Sequence, residues 1–212
     1  SGASVAKGDG FVGTEGTIHY AGVSPTSYTD TTAAPTNAGT YEASVTVSGV
    51  TARQRFEIQR AGIAPAVTIS GWTYGDEPGT PTVTGNTGSG DVTYTYYTDL
   101  ECTVSTTAEN SGATEEGGQP VDAGTYYVKA DIAATTNYNR ATTAAVSFTI
   151  ATKVVTITGV SASDKVYDGT TEASVAGTPT IDGLVETDAD KVSVSVGTAA
   201  FADKNVGTGK TV

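Results

Sequence analysis

Pro120-Val121-Asp122-Ala123-Gly124-Thr125-Tyr126-Tyr127-Val128 decides how this 212-residue chain is read. A near copy, Pro35-Thr36-Asn37-Ala38-Gly39-Thr40-Tyr41, lies 85 residues earlier. A weaker copy, Asn205-Val206-Gly207-Thr208, begins 83 residues after Asp122. Self-similarity at a fixed spacing marks a repeat architecture. Each of the first two copies begins with turn residues and runs into strict alternation. After Gly39-Thr40, the residues Tyr41, Ala43, Val45 and Val47 share one face, and Glu42, Ser44 and Thr46 the other. After Gly124-Thr125, an inward face of Tyr126, Val128 and Ala130 alternates with an outward face of Tyr127, Lys129 and Asp131. Period two over such a length predicts a half-buried strand of an antiparallel sheet.

Working outward, Val92, Tyr94 and Tyr96 alternate with Thr93, Thr95 and Tyr97, and Val192, Val194 and Val196 alternate with Ser193 and Ser195. Phe56 to Gln59 and Val146 to Ile150 read as closing strands. Glycine-rich turns at Gly85 to Gly90 and Gly112 to Gly118 separate these segments. Three modules follow: 1–61, 62–151 and 152–212. The first is expected to lack its opening strand and the third its closing strand, which would leave the third with an unpaired sheet edge, a template for pairing with another chain. The Asp122-x-Gly124-x-Tyr126 pattern resembles the tyrosine corner of immunoglobulin-like sandwiches, where a phenol hydroxyl bonds backbone at a strand entry. The fold class is therefore read as all-β, with tandem immunoglobulin-like β-sandwich modules in an extended array. Small β-grasp-like modules are the alternative.

Composition agrees. The chain holds 40 Thr and 24 Val but only two Leu and no Met. Good helix formers are scarce, while Thr and Val suit a pleated surface. Ser1-Gly2, without an initiator Met, reads as a cut or processed start. Net charge is −12, and the 11 basic residues are scattered singly. Phosphate binding needs clustered Lys and Arg, so nucleic acid and anionic membrane surfaces are not expected partners. No apolar run approaches the roughly 20 residues of a membrane span. Cys102 is the only cysteine, so no disulfide forms within the chain; it reads as a half-buried strand thiol.

Tyr74-Gly75-Asp76, the Asp122 to Tyr126 turn and Phe148-Thr149-Ile150 resemble MBG-type repeats of large bacterial cell-surface and secreted adhesin-like proteins. Lys165-Val166-Tyr167-Asp168-Gly169-Thr170-Thr171 and Phe201-Ala202-Asp203-Lys204-Asn205-Val206-Gly207-Thr208-Gly209-Lys210 resemble the related YDG repeat. The resemblance implies an extracellular location, at a bacterial cell surface or secreted, and a stalk or adhesive role. It implies no catalytic residue.

Gly207-Thr208-Gly209-Lys210-Thr211 suggests a phosphate loop, but Lys204 stands where the motif needs its first Gly. His19, the sole histidine, sits in the strand pattern Thr17-Ile18-His19-Tyr20, so any histidine-based nucleophile would need it. One His and one Cys cannot make a usual zinc site. Glu115-Glu116 and Asp188-Ala189-Asp190 read as solvated loops, with calcium at Asp188 and Asp190 as the sharper alternative. A Lys–Asn cross-link from Lys153 or Lys165 to Asn137 or Asn139 has no diagnostic pattern. Inward Tyr94, Tyr96 and Tyr126 read as core. Trp72 and the outward Tyr97 and Tyr127 are the candidate ligand contacts, because an aromatic face can stack on a sugar ring.

The reading is a non-enzymatic repeat region, stalk or adhesive, with no catalytic, cofactor or metal site. Its expected partners are a glycan, a mucin or a matrix protein, with no membrane insertion. It is expected to be a monomer or to self-associate through an edge strand. An accessory carbohydrate-binding stretch of a secreted glycan-degrading enzyme is the alternative.

Overall fold

The computed structural model describes residues 16–212. The expectation that the first module lacks its opening strand falls largely on 1–15 and lies outside the described residues. The strands in chain order are β1 (Ile18–Gly22), β2 (Gly39–Val47), β3 (Val50–Ile58), β4 (Ala66–Thr68), β5 (Trp72–Thr73), β6 (Thr82–Thr84) and β7 (Val92–Tyr97). After the helical turn α1 (Ala108–Ser111) come β8 (Gly124–Ile132), β9 (Ala141–Thr142), β10 (Val146–Ala151), β11 (Thr156–Ala162), β12 (Glu172–Ala173), β13 (Val175–Asp182) and β14 (Ala199–Ala200). The fold is thus mostly β, in several small sheets, none of them closed into a barrel among the described residues. Two compact units form: residues 16–70, 79–120 and 125–148, and residues 71–78, 121–124 and 149–212.

In the first unit, β2 pairs antiparallel with β1 and β3. The β2–β3 hairpin turns at Ser48-Gly49, both at positive φ (50° and 80°). That is the left-handed backbone that a two-residue hairpin needs. β8 pairs antiparallel with β7 and carries β10 on its other side. The two three-strand sets, β1-β2-β3 and β7-β8-β10, build the same core. Tyr20 lies opposite Ala43, and Tyr96 lies opposite Val128. Phe56 sits 5.7 Å from Tyr41 and 6.2 Å from Tyr20, and Phe148 sits 6.0 Å from both Tyr126 and Tyr96. Tyr41, Tyr96, Tyr126 and Phe148 are buried. Such ring pairs add about 0.5–1.5 kcal/mol each beyond the burial of their area.

The alternation of β8 is realised residue by residue. Tyr126, Val128, Ala130 and Ile132 are buried, and Tyr127, Lys129 and Asp131 face outward. The corner is present in the first repeat. Tyr41 donates its hydroxyl to the Asn37 carbonyl at 2.8 Å, and Gly39 leaves room for Thr26, whose side chain would lie 2.7 Å from a Cβ there. Short strands β4 and β6 pair in register around the buried Val67.

In the second unit, β5 pairs with the end of β10 in parallel, Trp72 against Ile150 and Thr73 against Ala151. Parallel neighbours need a long connection, and the chain from Thr73 to Val146 supplies it. β11 pairs with β13 across a bulge at Gly159 and Gly177. Both glycines have positive φ, and a Cβ on Gly177 would meet the Gly159 carbonyl at 2.1 Å. β12 pairs with β14.

Three local expectations are corrected. Val192, Val194 and Val196 form no strand; alternation makes a strand only where a partner ladder runs alongside, and β14 pairs only from Ala199. Cys102 sits in a turn at φ 56°, half-buried, not in a strand. The closing strand of the first repeat begins at Val50, well before Phe56. Across the sheets, threonine hydroxyls meet in register: Thr46 with Thr51 at 2.8 Å, Thr68 with Thr82 at 2.8 Å, and Thr158 with Thr180 at 3.0 Å.

Candidate functional site

The outward face of β7 and β8 brings two of the three candidate contacts together. Tyr97 and Tyr127 are direct register partners, followed along the face by Thr95 with Lys129 and Thr93 with Asp131. Residues directly opposite on one face hold their Cβ atoms about 4.5–5.5 Å apart, so the tyrosines form one half-exposed aromatic step. Asp131 is fixed by Arg140 through Nε at 2.8 Å and by Thr142 at 3.1 Å. The Arg140 hydrogen bond holds the Asp131 carboxyl below its ordinary range. The free edge of β7 is covered by its own loop: Thr106 N–H donates to Tyr96 O, and Tyr96 N–H donates to Gly117 O. Tyr96 itself is core, and burial pushes its phenol up. Tyr94 is half-buried and donates to Pro81 O at 3.3 Å.

Trp72 is half-buried on β5. Beside it, Tyr74-Gly75-Asp76 forms a corner of the second unit. The Tyr74 hydroxyl bonds Asp188, and Lys153 Nζ reaches Asp76 at 2.7 Å. Gly75 has φ 82°, and a Cβ there would lie 2.5 Å from Val185. A cavity of about 300 Å³ is lined here by Tyr74, Asp122, Ala123, Leu184 and Val185, among others.

In the first unit a different contact joins the repeats. Asn137 accepts from Ala38 N–H at 2.8 Å and donates to the Asn37 side-chain oxygen at 3.0 Å. Ala61 N–H donates to Asn137 O, and Asn139 N–H donates to Ala61 O. The Asn37-Ala38 turn is the repeat equivalent of Asp122-Ala123.

The remaining sequence candidates are separately engaged. His19 bonds Asp30 at 2.9 Å on the exposed side of β1. Lys191 pairs with Asp188 and holds that carboxyl low. No cluster of three metal-ligating side chains occurs among the described residues. Glu115 and Glu116 fall in the turn after α1. Of the cross-link candidates, Lys153 pairs with Asp76, and Asn139 donates to Arg60 O at 3.3 Å.

Residues 165–170 and 201–210 meet across the β12–β14 ladder. Lys165 Nζ donates to Asp168 at 2.9 Å and to the Thr170 carbonyl and hydroxyl, and lies 5.8 Å from the Phe201 ring centroid. Lys210 Nζ bonds Asp203 and the Asn205 carbonyl. Phe201 N–H donates to Thr171 O at 2.7 Å. A family model of the YDG domain matches residues 151–212. Residues 151–212 are a YDG domain. Within it Lys165 and Lys210 staple the loops at 165–170 and 203–210. No curated protein and no solved structure matches the chain.

Sequence reading missed Asn137 as a joint residue, because a side chain reaching a backbone 99 residues away leaves no local pattern. It also missed Val185, whose only signal is the glycine it faces.

Proposed function

We propose that the chain is a non-enzymatic repeat region of a bacterial cell-surface or secreted protein, in which the β7–β8 face binds a glycan, free or carried on a mucin or matrix protein. The observation that carries the reading is the paired Tyr97 and Tyr127 on the outward face of a strand pair whose inward face is a repeated aromatic core. The paired strands hold the backbone beneath the two rings already ordered, and the neighbouring Lys129, Asp131 and Arg140 offer polar groups for sugar hydroxyls. The MBG-type resemblance of the first two repeats and the YDG domain support the surface-protein context. Between the two module folds, the Tyr41 corner supports the immunoglobulin-like sandwich, and the parallel β5–β10 pairing suits that sandwich and a β-grasp-like module alike. Single-site affinity for a sugar is low, and repetition of modules would raise it through effective concentration.

The test is a glycan and mucin binding screen of the chain beside Tyr97→Ala/Tyr127→Ala and Trp72→Ala. Binding abolished by the double substitution and kept by Trp72→Ala is the expected result. Binding that survives the tyrosine changes refutes this face. No binding by an arrayed form of the chain leaves the spacer role alone. Release of sugars from the same glycans refutes the non-enzymatic reading.

A further inference from the structure

We infer that the corner built by Tyr74-Gly75-Asp76 and Asp122-Ala123 is a docking seat for the Leu184 to Asp188 loop, and that the YDG domain keeps its fold only while seated there. None of the residues 151–212 is buried, whereas β8 alone buries four. β11 is exposed along its whole length, and Val154, Ile157 and Val166 are among the most exposed apolar residues of the chain. The domain's sheets have two strands each, and an isolated two-stranded sheet is marginal in water. Its internal staples, Lys165 and Lys210, act at the surface, where such pairs contribute little. Something besides a private core must hold it.

The corner supplies that hold. Val185 rests where any side chain on Gly75 would intrude, at 2.5 Å, and the positive φ of Gly75 excludes other residues on backbone grounds as well. The Tyr74 hydroxyl bonds Asp188. In the first repeat the turn Asn37-Ala38 receives Asn137 of the following repeat. Asp122-Ala123, the equivalent turn of the second repeat, lines the cavity beside Leu184 and Val185. Arrays in which each unit is stabilised by its neighbour behave in this manner. The inference stands whether or not the tyrosine face binds a glycan.

Hydrogen exchange on the full chain, read by mass spectrometry at β11 and β13, tests it. Those amides should be protected in the parent chain. They should exchange about tenfold faster in Gly75→Ala and in Val185→Ser, while β8 keeps its protection. Tyr74→Phe, which removes one bond and leaves backbone and packing alone, should give a smaller acceleration confined to the same strands. In Gly75→Ala/Val185→Ala, where the clash is relieved, exchange should be slower than in Gly75→Ala. Unprotected β11 and β13 in the parent chain would overturn the inference, as would rates unchanged by both Gly75→Ala and Val185→Ser. Equal acceleration of β8 in Val185→Ser would also overturn it, by making the corner part of one global unfolding unit.

Discussion

The corner at Tyr41 can be divided into a ring and a hydroxyl. Tyr41→Phe removes only the 2.8 Å bond to the Asn37 carbonyl. Asn37 is exposed, so water can replace the lost donor at that carbonyl. The loss should then be that of an ordinary hydrogen bond, about 1 kcal/mol, without the added penalty of a stranded buried group. Tyr41→Ala removes much more. The ring is 2% exposed, stacks on Phe56 at 5.7 Å and 27°, and meets Tyr28 edge-on at 5.6 Å. Truncating a buried aromatic to Ala costs about 3–5 kcal/mol, counting the cavity left behind. Urea unfolding followed by circular dichroism, with hydrogen exchange at β2 to localise the effect, measures both. The ratio is the decisive quantity. If Tyr41→Phe is as damaging as Tyr41→Ala, the hydroxyl anchors the turn and ring packing is secondary. If Tyr41→Ala costs under about 1 kcal/mol, the aromatic core is not what holds the first repeat.

Asn137→Ala should uncouple the first two repeats: amides of β2 near Asn37 exchange faster while β8 is unaffected, and equal rates in both strands would remove the joint. The Asp168 carboxyl is held down to about 2, first by the Lys165 hydrogen bond and then by the Thr170 backbone and hydroxyl bonds. A carboxylate lowered on folding stabilises fully above its ordinary value of 3.8 and loses that contribution as pH falls through about 2. A carbon-detected titration should therefore show a midpoint near 2 that rises toward 3.8 in Lys165→Met; an unmoved midpoint would refute the pairing. Burial pushes the Cys102 thiol up, so at pH 8 it should alkylate more slowly than free cysteine, and a faster rate would contradict its packing.

What the sequence made legible follows physical range. The strands β2, β7 and β8 could be read because burial on one face imposes period two on consecutive residues, as in Tyr126, Val128, Ala130 and Ile132. The repeated aromatic core could be read because its members recur at fixed offsets. Tyr97 and Tyr127 could be assigned to the outward face, though only the β7–β8 register places them opposite each other. Other features depend on pairings made at long range. Val192 to Val196 alternate as well as any strand but have no neighbouring ladder. The parallel partner of Ile150 lies far back at Trp72. The seat at Gly75 was visible only as a glycine in a motif; the residue that requires it, Val185, belongs to a different module.

The abundance of threonine has a consequence for the medium in which this chain can work. Charged cross-strand pairs weaken as salt screens them, over about 8 Å at physiological ionic strength. The Thr46–Thr51, Thr68–Thr82 and Thr158–Thr180 hydroxyl pairs carry no net charge and do not titrate in the ordinary range. They fix strand register on solvent-facing positions with contacts that neither salt nor moderate acid removes. At these positions strand register is indifferent to salt, whereas the Arg53–Glu42, Arg140–Asp131 and lysine–aspartate pairs carry the sensitivity to the surroundings.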